Sequence, residues 1–351
     1  MRSIELALHQ AEIRYEEYLN IINFIDDRGD YDPMDLLRII GEKKERKVRA
    51  SLDQVHKNIE RMEKEEIGSI SCKDEMFPKF LLEMPDPCYL LYYRGDISLL
   101  DSFSIGMVGS RKPTSYGSYV ANKFSSELSR SGVVIVSGLA QGIDTLSHKG
   151  ATESNGKTIA VLGTAINNIY PRKNEGYAKE LIQGGSLILS EFAPDHQTMP
   201  FHFVQRNRLI SALSDGLLIV EAGERSGTLT TVDFALEQGK PVFAVPGNIN
   251  SPNSVGTNRL LKAGAKLVTE IEDILEEFLY FKPKREPDGS DVDLSEEERA
   301  VVAVLREKGI LTNEEISLFT NQSIKYIIGT LGVLEIKGII KDLGNNTFTI
   351  K

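Results

Sequence analysis

The chain has 351 residues, enough for two or three domains, and its 41% hydrophobic and 26% charged residues are typical of a soluble protein. No run approaches the roughly 18 consecutive apolar residues that span a bilayer, and the acidic N-terminus does not resemble a signal peptide. Two cysteines and five histidines, none in a metal spacing, argue against a disulfide framework and a metal site, so we expect a cytoplasmic location.

Residues 1–70 are predicted to form a helical domain. In IELALHQAEIRYEEYLNIINFI, apolar residues recur with the spacing of an amphipathic helix. A second helical stretch carries a run of five basic residues, Lys43, Lys44, Arg46, Lys47 and Arg49. This run could contact phosphate, but such runs more often form a solvent-exposed helix face, and we prefer that interpretation.

Residues 71–281 alternate short apolar runs with helical segments. The predicted strands lie in SIGMVGSR, VVIVSG, KTIAVLG, SLILSEF, LLIVEA, PVFAVPG and KLVTE. One intervening helix is predicted in RNRLISALSDG, residues 206–216. This alternation is typical of an α/β fold whose parallel sheet is covered on both faces. We therefore predict an extended Rossmann-like, doubly wound, mainly parallel sheet.

The C-terminal part is predicted to be a separate domain. Residues 282–294 are polar and contain proline and glycine, as linkers do. Ser295 and Glu298 then match a capping box that begins a helix. Two further helices and a hairpin in IIKDLGNNTFTI complete the pattern of a winged-helix domain over residues 295–351.

Ligands of open parallel sheets bind at the carboxyl ends of the strands, so the residues after each predicted strand are the candidate site. Glycines there allow close approach of the backbone to an anion, helix N-termini present N–H groups, and arginine matches phosphate. The candidates are Ser110, Arg111, Gly138, Arg172, Lys173, Arg206, Asn207, Arg208, Ser226, Gly227, Thr228 and Asn248.

The charge distribution supports an anionic ligand for this part of the chain. Although the net charge of the chain is −10, residues 106–270 carry 16 basic and 13 acidic side chains, a net charge of +3. Residues 1–105 and 271–351 have net charges of −7 and −6. A polyanion is therefore expected to bind the middle of the chain.

Groups suited to acid–base chemistry are sparse. Glu191 and Glu221 end predicted strands and could act as bases, but we prefer them as partners of the nearby arginines. His148 and His202 have no nucleophile in a recognisable motif beside them. ATESNGKT resembles a phosphate-binding P-loop, yet its first glycine is missing and it precedes a strand. No G-x-G-x-x-G is present, so we expect no nicotinamide or flavin cofactor, and anion-binding loops without an obvious acid–base set favour binding over catalysis.

Seven motifs in order resemble the DNA-processing protein A (DprA/Smf) family. They are VGSRKPTSYG, SGLAQGIDTLSHKGA, GKTIAVLGTAINNIYPRKN, LSEF, RNRLISALSDGLLIVEA, RSGTLTTVDFALEQGKPVFAVPG and GTNRLLKAGA. They cover residues 75–270 densely. The flanking parts resemble the accessory domains of that family more loosely, which implies a SAM-like fold for residues 1–70.

The resemblance implies a protein that binds single-stranded DNA and uses no cofactor. Members protect incoming strands in natural transformation, help to load a RecA-type recombinase and form homodimers through the Rossmann domain. The positive pocket of the family corresponds here to Arg111, Arg172, residues 206–208 and residues 226–228. Replacing Arg111, Arg172 and Arg206 with glutamate is expected to abolish binding and to leave the fold intact.

Several alternatives remain open from the sequence. Phe201, Phe203 and Tyr170 could stack on bases or belong to the core. A phosphoribohydrolase-like enzyme of the same superfamily would need a glutamate where Thr231 stands. A transcription factor would read DNA through the winged helix, but SIKYIIGTLGVL carries a single lysine and is too apolar for the major groove.

Overall fold

The computed structural model describes residues 2–28, 33–281, 294–337, 339–344 and 346–350. The chain divides into two compact units, residues 1–284 and 285–351. The linker predicted at 282–294 lies outside the described residues except for its last residue. Within the described ranges, no helix is both long and apolar enough to cross a membrane.

Three helices begin the first unit: α1 (Arg2–Gln10), α2 (Tyr15–Arg28) and α3 (Pro33–Lys64), the last broken at Gly41 by a φ of 77°. Their apolar faces share a core with the sheet, because Leu8 and Ile21 belong to the same buried cluster as Tyr92. Helix was predicted up to residue 70, which is wrong for the last residues: Glu66 has a φ of 54° and a strand follows. That strand forms by pairing with a neighbour, which its own short sequence does not indicate.

The basic run of α3 is a solvent-exposed helix face, as we preferred. Four of its five side chains form ion pairs with carboxylates of α2, α3 and the turn between α1 and α2. These pairs are Lys44–Glu17, Arg46–Glu42, Lys47–Glu12 and Arg49–Glu45. These ion pairs therefore neutralise most of the positive charge of the basic run.

Nine strands form the sheet of the first unit, in the order β1-β2-β6-β5-β4-β3-β7-β8-β9. Their bounds are β1 (Gly68–Ser71), β2 (Leu90–Gly95), β3 (Ser104–Val108), β4 (Val134–Ser137), β5 (Thr158–Leu162), β6 (Leu187–Ser190), β7 (Gly216–Ile219), β8 (Val242–Ala244) and β9 (Lys266–Leu267). Strands β3 to β9 pair in parallel, and β1 and β2 add an antiparallel edge. The predicted mainly parallel sheet is confirmed.

Helices connect these strands: α4 (Ser115–Arg130), α5 (Ile143–Glu153), α6 (Glu175–Gln183), α7 (His202–Ala212), α8 (Thr228–Glu237), α9 (Val255–Lys262) and α10 (Glu272–Leu275). The prediction for α7 is wrong at its start, because the helix begins four residues earlier than Arg206. Arg206 and Arg208 therefore lie inside the helix and not at its N-terminus.

Both faces of the sheet are covered, which explains why its strands are continuously apolar. Val134 and Val136 of β4 pack into one buried cluster, and Ile135 between them packs into the cluster on the other face. Leu218 and Leu217 divide in the same way on β7. Alternate side chains of a strand point to opposite faces, so a sheet that is buried on both faces needs apolar residues at every position of its strands.

The second unit contains α11 (Glu296–Lys308), α12 (Asn313–Thr320) and α13 (Ile324–Ile336), with β10 (Leu311–Thr312), β11 (Ile340–Asp342) and β12 (Thr347–Ile350). The capping box is confirmed, since Ser295 Oγ accepts from the Glu298 N–H at 3.2 Å and Ser295 N–H donates to Glu298 Oε2 at 2.8 Å. The predicted hairpin of β11 and β12 is also present. The winged-helix assignment stays a prediction, as does the SAM-like one.

Candidate functional site

The strand order of the sheet reverses between β3 and β7, and a cavity of about 420 Å³ opens at this point. We call it the switch-point pocket. Its lining consists of residues 108–111, Ala140, Asp144, five residues of α7, residues 226–228 and Thr231. Loops that are distant in sequence meet here because parallel strands end at the same edge of the sheet.

Seven of the predicted site residues line this pocket: Ser110, Arg111, Arg206, Asn207, Ser226, Gly227 and Thr228. Gly138 lies directly behind them, because its carbonyl oxygen accepts from Arg206 Nη1 at 2.8 Å. Arg172, Lys173, Arg208 and Asn248 are outside the lining. The structure therefore brings the larger part of the predicted set into one cavity.

Arg206 forms the floor of the switch-point pocket and is only 4% exposed. Its guanidinium donates to the carbonyl oxygens of Gly138 and Val161, at the ends of β4 and β5, and to Asn207 Oδ1 at 3.3 Å. Burial lowers the pKa of Arg206 to about 10, which still leaves it charged at neutral pH. Arg206 is thus a fixed positive charge that joins two strands to α7.

Asp144 is a pocket residue that the sequence reasoning did not select. It sits in the first turn of α5, is 7% exposed, and faces Arg206 across Gly138. Burial raises the pKa of Asp144, while the charge of Arg206 opposes that rise. A carboxylate opposite a buried arginine could have been suspected from the acidic residue that follows the glycine turn in QGID.

Arg208 points away from the pocket, contrary to the role that we gave it beside Arg206. An α-helix has about 3.6 residues per turn, so residues two apart face opposite sides. Arg208 Nη2 donates to Glu191 at 2.7 Å and Nε to Asp86 at 3.2 Å, and its side chain is 4% exposed. Burial alone would lower the pKa of Arg208, but the Glu191 carboxylate holds it above its usual value. Arg208 is a buried ion-pair partner in this structure.

Arg172 and Lys173 are exposed on the loop between β5 and α6, next to the pocket. Two contacts hold this loop there. The ring of Tyr170 lies 5.3 Å from that of Phe203, which lines the pocket. Asn174, a buried residue not selected from the sequence, donates to the Leu139 carbonyl oxygen at 2.8 Å.

The turn between β4 and α5 is shaped by residues with positive φ. Gly142 has a φ of 91°, and a Cβ there would lie 2.3 Å from the Ser110 carbonyl oxygen. Leu139 has a φ of 54° although it is fully buried, a conformation that is unusual for a bulky side chain. A Cβ on Gly138 would lie 2.5 Å from Arg206 Nη2. The loop thus depends on both glycines to bring its backbone against the arginine.

The N-terminus of α8 forms another wall of the pocket. Ser226 Oγ donates to Thr228 Oγ1 at 2.9 Å and accepts from the Thr228 N–H at 3.2 Å. Gly227 is exposed and provides no side-chain cap. Asn207 Nδ2 donates to Thr230 Oγ1 at 3.4 Å and so connects α7 to α8. This geometry places the N-terminus of α8 and the Thr228 hydroxyl at the pocket wall, where the helix dipole favours an anion.

Asn248 lies outside the pocket, on the exposed loop between β8 and α9. Its Oδ1 accepts from the Asn250 N–H at 2.9 Å, so the side chain stabilises its own turn.

The loop between β8 and α9 is joined to the β3–α4 loop through Glu221, which is 2% exposed. Glu221 Oε2 accepts from the Thr114 N–H at 3.0 Å and from Asn253 Nδ2 at 3.3 Å.

The groups considered for acid–base chemistry all have structural partners. Glu191 pairs with Arg208, as we preferred, whereas Glu221 binds Thr114 and Asn253 and no arginine. His148 is fully buried, and its Nδ1 lies 2.6 Å from Thr158 Oγ1. His202 Nδ1 accepts from the Met199 N–H at 3.1 Å, and its ring stacks on Phe192. The pocket is suited to holding an anion more than to proton transfer.

A family model and the sequences of known proteins match this chain and indicate the same family. The model of the family described as "DNA recombination-mediator protein A" matches residues 68–279. The chain is 42% identical over 212 residues to DNA processing protein DprA of Bacillus subtilis, covering 60% of this chain and 71% of that protein. It is 44% identical over 211 residues to Protein Smf of Escherichia coli, which is 60% of this chain but only 56% of that relative's length.

Two solved structures share the fold. DNA processing protein A from Streptococcus pneumoniae matches with a TM-score of 0.69 at 34% identity, over 80% of this chain and 99% of that one. DNA processing protein A from Helicobacter pylori, a structure titled for its single-stranded DNA binding mode, matches with a TM-score of 0.55 at 32% identity. That match covers 61% of this chain and 96% of that one.

Proposed function

Because this chain belongs to the family of DNA recombination-mediator protein A, we propose that it binds single-stranded DNA at the switch-point pocket. The observation that carries the proposal is the convergence of three loops, after β3, β4 and β7, around Arg111 and Arg206. Each loop comes from a separate crossover, so their convergence gives a cationic site that none of them forms alone. The Helicobacter pylori relative, titled for the binding of single-stranded DNA, supports the same ligand class.

The two pocket arginines have different roles in this proposal. Arg111 is exposed and forms no ion pair with any residue that the structure describes, so its planar donors are available to a phosphate. Arg206 is buried, and its Nη1 donates to two backbone carbonyl oxygens, so it attracts the strand mainly through its charge. Arg172 and Lys173, exposed on the neighbouring loop, extend the positive surface along the strand.

Unpaired bases would stack on the aromatic wall beside the pocket. Tyr170 and Phe201 are exposed, and Phe203 is partly exposed next to Tyr170. Base–aromatic stacking is worth about 1–3 kcal/mol per base and is available only when the bases are not paired. This wall therefore favours a single strand over a duplex.

Binding without turnover is the activity that the residues support best. The alternative, a phosphoribohydrolase-like enzyme, requires a glutamate where Thr231 stands, and Thr231 is 1% exposed in the pocket wall. The remaining carboxylates nearby are engaged: Glu221 in holding two loops, and Asp144 opposite Arg206. Neither is placed as a free general base.

The wider role that we propose follows the relatives. In this role the protein protects incoming single strands in natural transformation, helps to load a RecA-type recombinase in the cytoplasm and acts as a homodimer through the Rossmann-like sheet. The names of the Bacillus subtilis and Streptococcus pneumoniae relatives, both DNA processing proteins, support the first part. The remaining parts rest on the family resemblance.

The proposal is tested by reversing the exposed charges. Arg206 must be left unchanged, because a glutamate there would bury a second carboxylate beside Asp144 and unfold the site, contrary to our expectation from sequence. In Arg111→Glu/Arg172→Glu, loss of two charge-assisted contacts of about 1.5–3 kcal/mol each predicts an affinity loss of about a hundredfold or more. Fluorescence anisotropy with a labelled oligothymidylate at constant salt measures it.

A matched control separates local contact from net charge. Lys43→Glu/Arg46→Glu makes the same change in net charge on the exposed face of α3. We expect this variant to bind within about threefold of the wild type, because exposed charges farther away than about 10 Å are screened at 0.1 M salt. Equal loss in both variants, or none in the first, would contradict the assignment of the pocket.

A further inference from the structure

Several segments of 19 or more residues contain no acidic residue, although the chain has 51, and two of them are residues 106–126 and 238–269. Residues 106–126 carry three basic side chains and residues 238–269 carry four, with no aspartate or glutamate in either. In a chain of net charge −10, two such segments are candidates for a surface that attracts a polyanion.

The fold places these two segments side by side. Tyr116 Oη in the first turn of α4 donates to the Pro246 carbonyl oxygen at 2.9 Å. Asn253 Nδ2 donates to the Lys112 carbonyl oxygen at 2.9 Å. The buried carboxylate of Glu221 lies beneath both loops and joins them. Residues 111–119 and 246–253 therefore form one surface, which we call the tyrosine shelf.

The exposed groups of the tyrosine shelf are aromatic, amide and cationic. Tyr119 is 64% exposed and Ile249 86% exposed. Lys112 is exposed and, among the residues that the structure describes, pairs with no carboxylate. Asn248 and Asn250 add exposed amides from the other loop. Cations interleaved with aromatic rings are the combination by which proteins hold single strands without reading their sequence.

The shelf is continuous with the switch-point pocket. Arg111 lines the pocket and is followed directly by Lys112, which begins the shelf. A strand that leaves the pocket past Arg111 meets Lys112 next and then the ring of Tyr119, one turn along α4. The absence of acidic residues favours a polynucleotide over a protein partner, whose basic groups would find no complement here.

We propose that the tyrosine shelf is a second contact surface for single-stranded DNA, bound by the part of the strand that extends beyond the switch-point pocket. This inference rests on the proposed function of the pocket. Its consequence is a dependence on length: a short oligonucleotide fills the pocket alone, and a longer one gains the contacts of the shelf.

The test compares two lengths of oligothymidylate, about 4 and about 16 nucleotides, in wild type and in Lys112→Gln/Tyr119→Ser. Neither side chain holds a hydrogen bond to another described residue, so the fold is expected to persist. The affinity for the long oligonucleotide should fall at least about tenfold, and that for the short one should stay within about twofold. Tyr280→Ser/Lys64→Gln, also at exposed positions of the first unit, should bind both lengths as the wild type does.

Each other outcome overturns the inference in a distinct way. Unchanged binding of the long oligonucleotide would show that DNA does not touch the shelf. Equal weakening at both lengths would show that the two residues belong to the pocket. A change in sedimentation with unchanged DNA binding would assign the shelf to contact between copies of the chain. A wild-type protein that binds neither length would remove the proposed function as well.

Discussion

Helix α7 separates two crevices whose linings differ in their charged residues. On one side is the switch-point pocket of about 420 Å³, with Arg206 at its floor. On the other is a larger cleft of about 650 Å³ between the N-terminal helices and the end of β6, which Gln205 of α7 also lines. We call the second crevice the N-terminal cleft. Size alone would favour the N-terminal cleft over the pocket that we propose as the DNA site.

The charges of the linings decide between the two crevices. The N-terminal cleft is lined by five carboxylates and by Arg14 as its single arginine or lysine; the carboxylates are Glu12, Glu16, Asp86, Glu191 and Asp195. The switch-point pocket has two arginines and the single carboxylate of Asp144. Most of these carboxylates are paired with cations: Glu12 with Lys47, Asp195 with Arg61, and both Glu191 and Asp86 with Arg208. The described lining of the cleft thus holds mostly paired carboxylates, whereas that of the pocket holds the exposed Arg111, so the pocket is the better candidate for a polyanion.

The largest effect that tests this comparison of the two crevices is expected from a substitution of Arg208. Because Arg208→Met leaves Glu191, only 13% exposed, without its ion-pair partner, we expect the free energy of unfolding to fall by about 3–5 kcal/mol. DNA affinity measured where the variant is still folded should stay within about threefold of the wild type, since Arg208 does not face the pocket. Urea denaturation and anisotropy measure the two quantities.

An exposed ion pair serves as the reference for Arg208. Arg46 pairs with Glu42 on α3, and both side chains are largely exposed. Arg46→Met is expected to cost less than about 1 kcal/mol. If Arg208→Met lost DNA affinity with little loss of stability, Arg208 would belong to the binding surface and the division between the two crevices would be wrong.

A smaller effect is expected from His148, which is fully buried on α5 against Thr158 of β5. Burial lowers the pKa of His148 to about 3 from an ordinary value of 6.5. Between these two pH values, His148 is therefore neutral in the folded protein and protonated in the unfolded chain. Stability is therefore lost as the pH falls below about 6.5, by about 1.4 kcal/mol per pH unit until the folded pKa is approached. Denaturation between about pH 6.5 and 4.5 should show this slope.

Two variants isolate the contribution of this imidazole to the pH dependence. His148→Gln should reduce the slope of stability against pH by about 1.4 kcal/mol per unit. His56→Gln, at an exposed position of α3, should leave the slope unchanged. An unchanged slope in His148→Gln would mean that His148 takes up its proton in the folded protein.

The general position of the site could be predicted from the sequence because it follows from topology. Parallel strands place their following loops at one edge, so Ser110, Arg111 and residues 226–228 were selected from strand ends alone. The faces of α7 could not be predicted in the same way. An error of four residues in the start of the helix made Arg206 and Arg208 look like neighbours on one surface, whereas the helix turns them to opposite crevices.

Burial was the other property that the sequence did not reveal. The guanidinium of Arg206 contacts backbone carbonyl groups and is hardly exposed to solvent. The reason is that Gly138, which has no side chain, lets the backbone approach Arg206 closely. Asp144 follows the glycine turn of QGID and Asn174 ends the YPRKN motif, but their roles come from partners distant in sequence. The residue types predicted an anion-binding chemistry at the carboxyl edge of the sheet. Only the packing shows which of the charged side chains there remain available to a ligand.

The most direct test of the cationic site is a salt titration of DNA binding with single- and double-stranded oligonucleotides of the same length. Phosphate contacts by Arg111 and its neighbours predict that the logarithm of the affinity falls linearly with the logarithm of salt concentration. Stacking on Tyr170 and Phe203 predicts tighter binding of the single strand at every salt concentration. An affinity that is insensitive to salt, or a preference for the duplex, would contradict a pocket built for unpaired DNA.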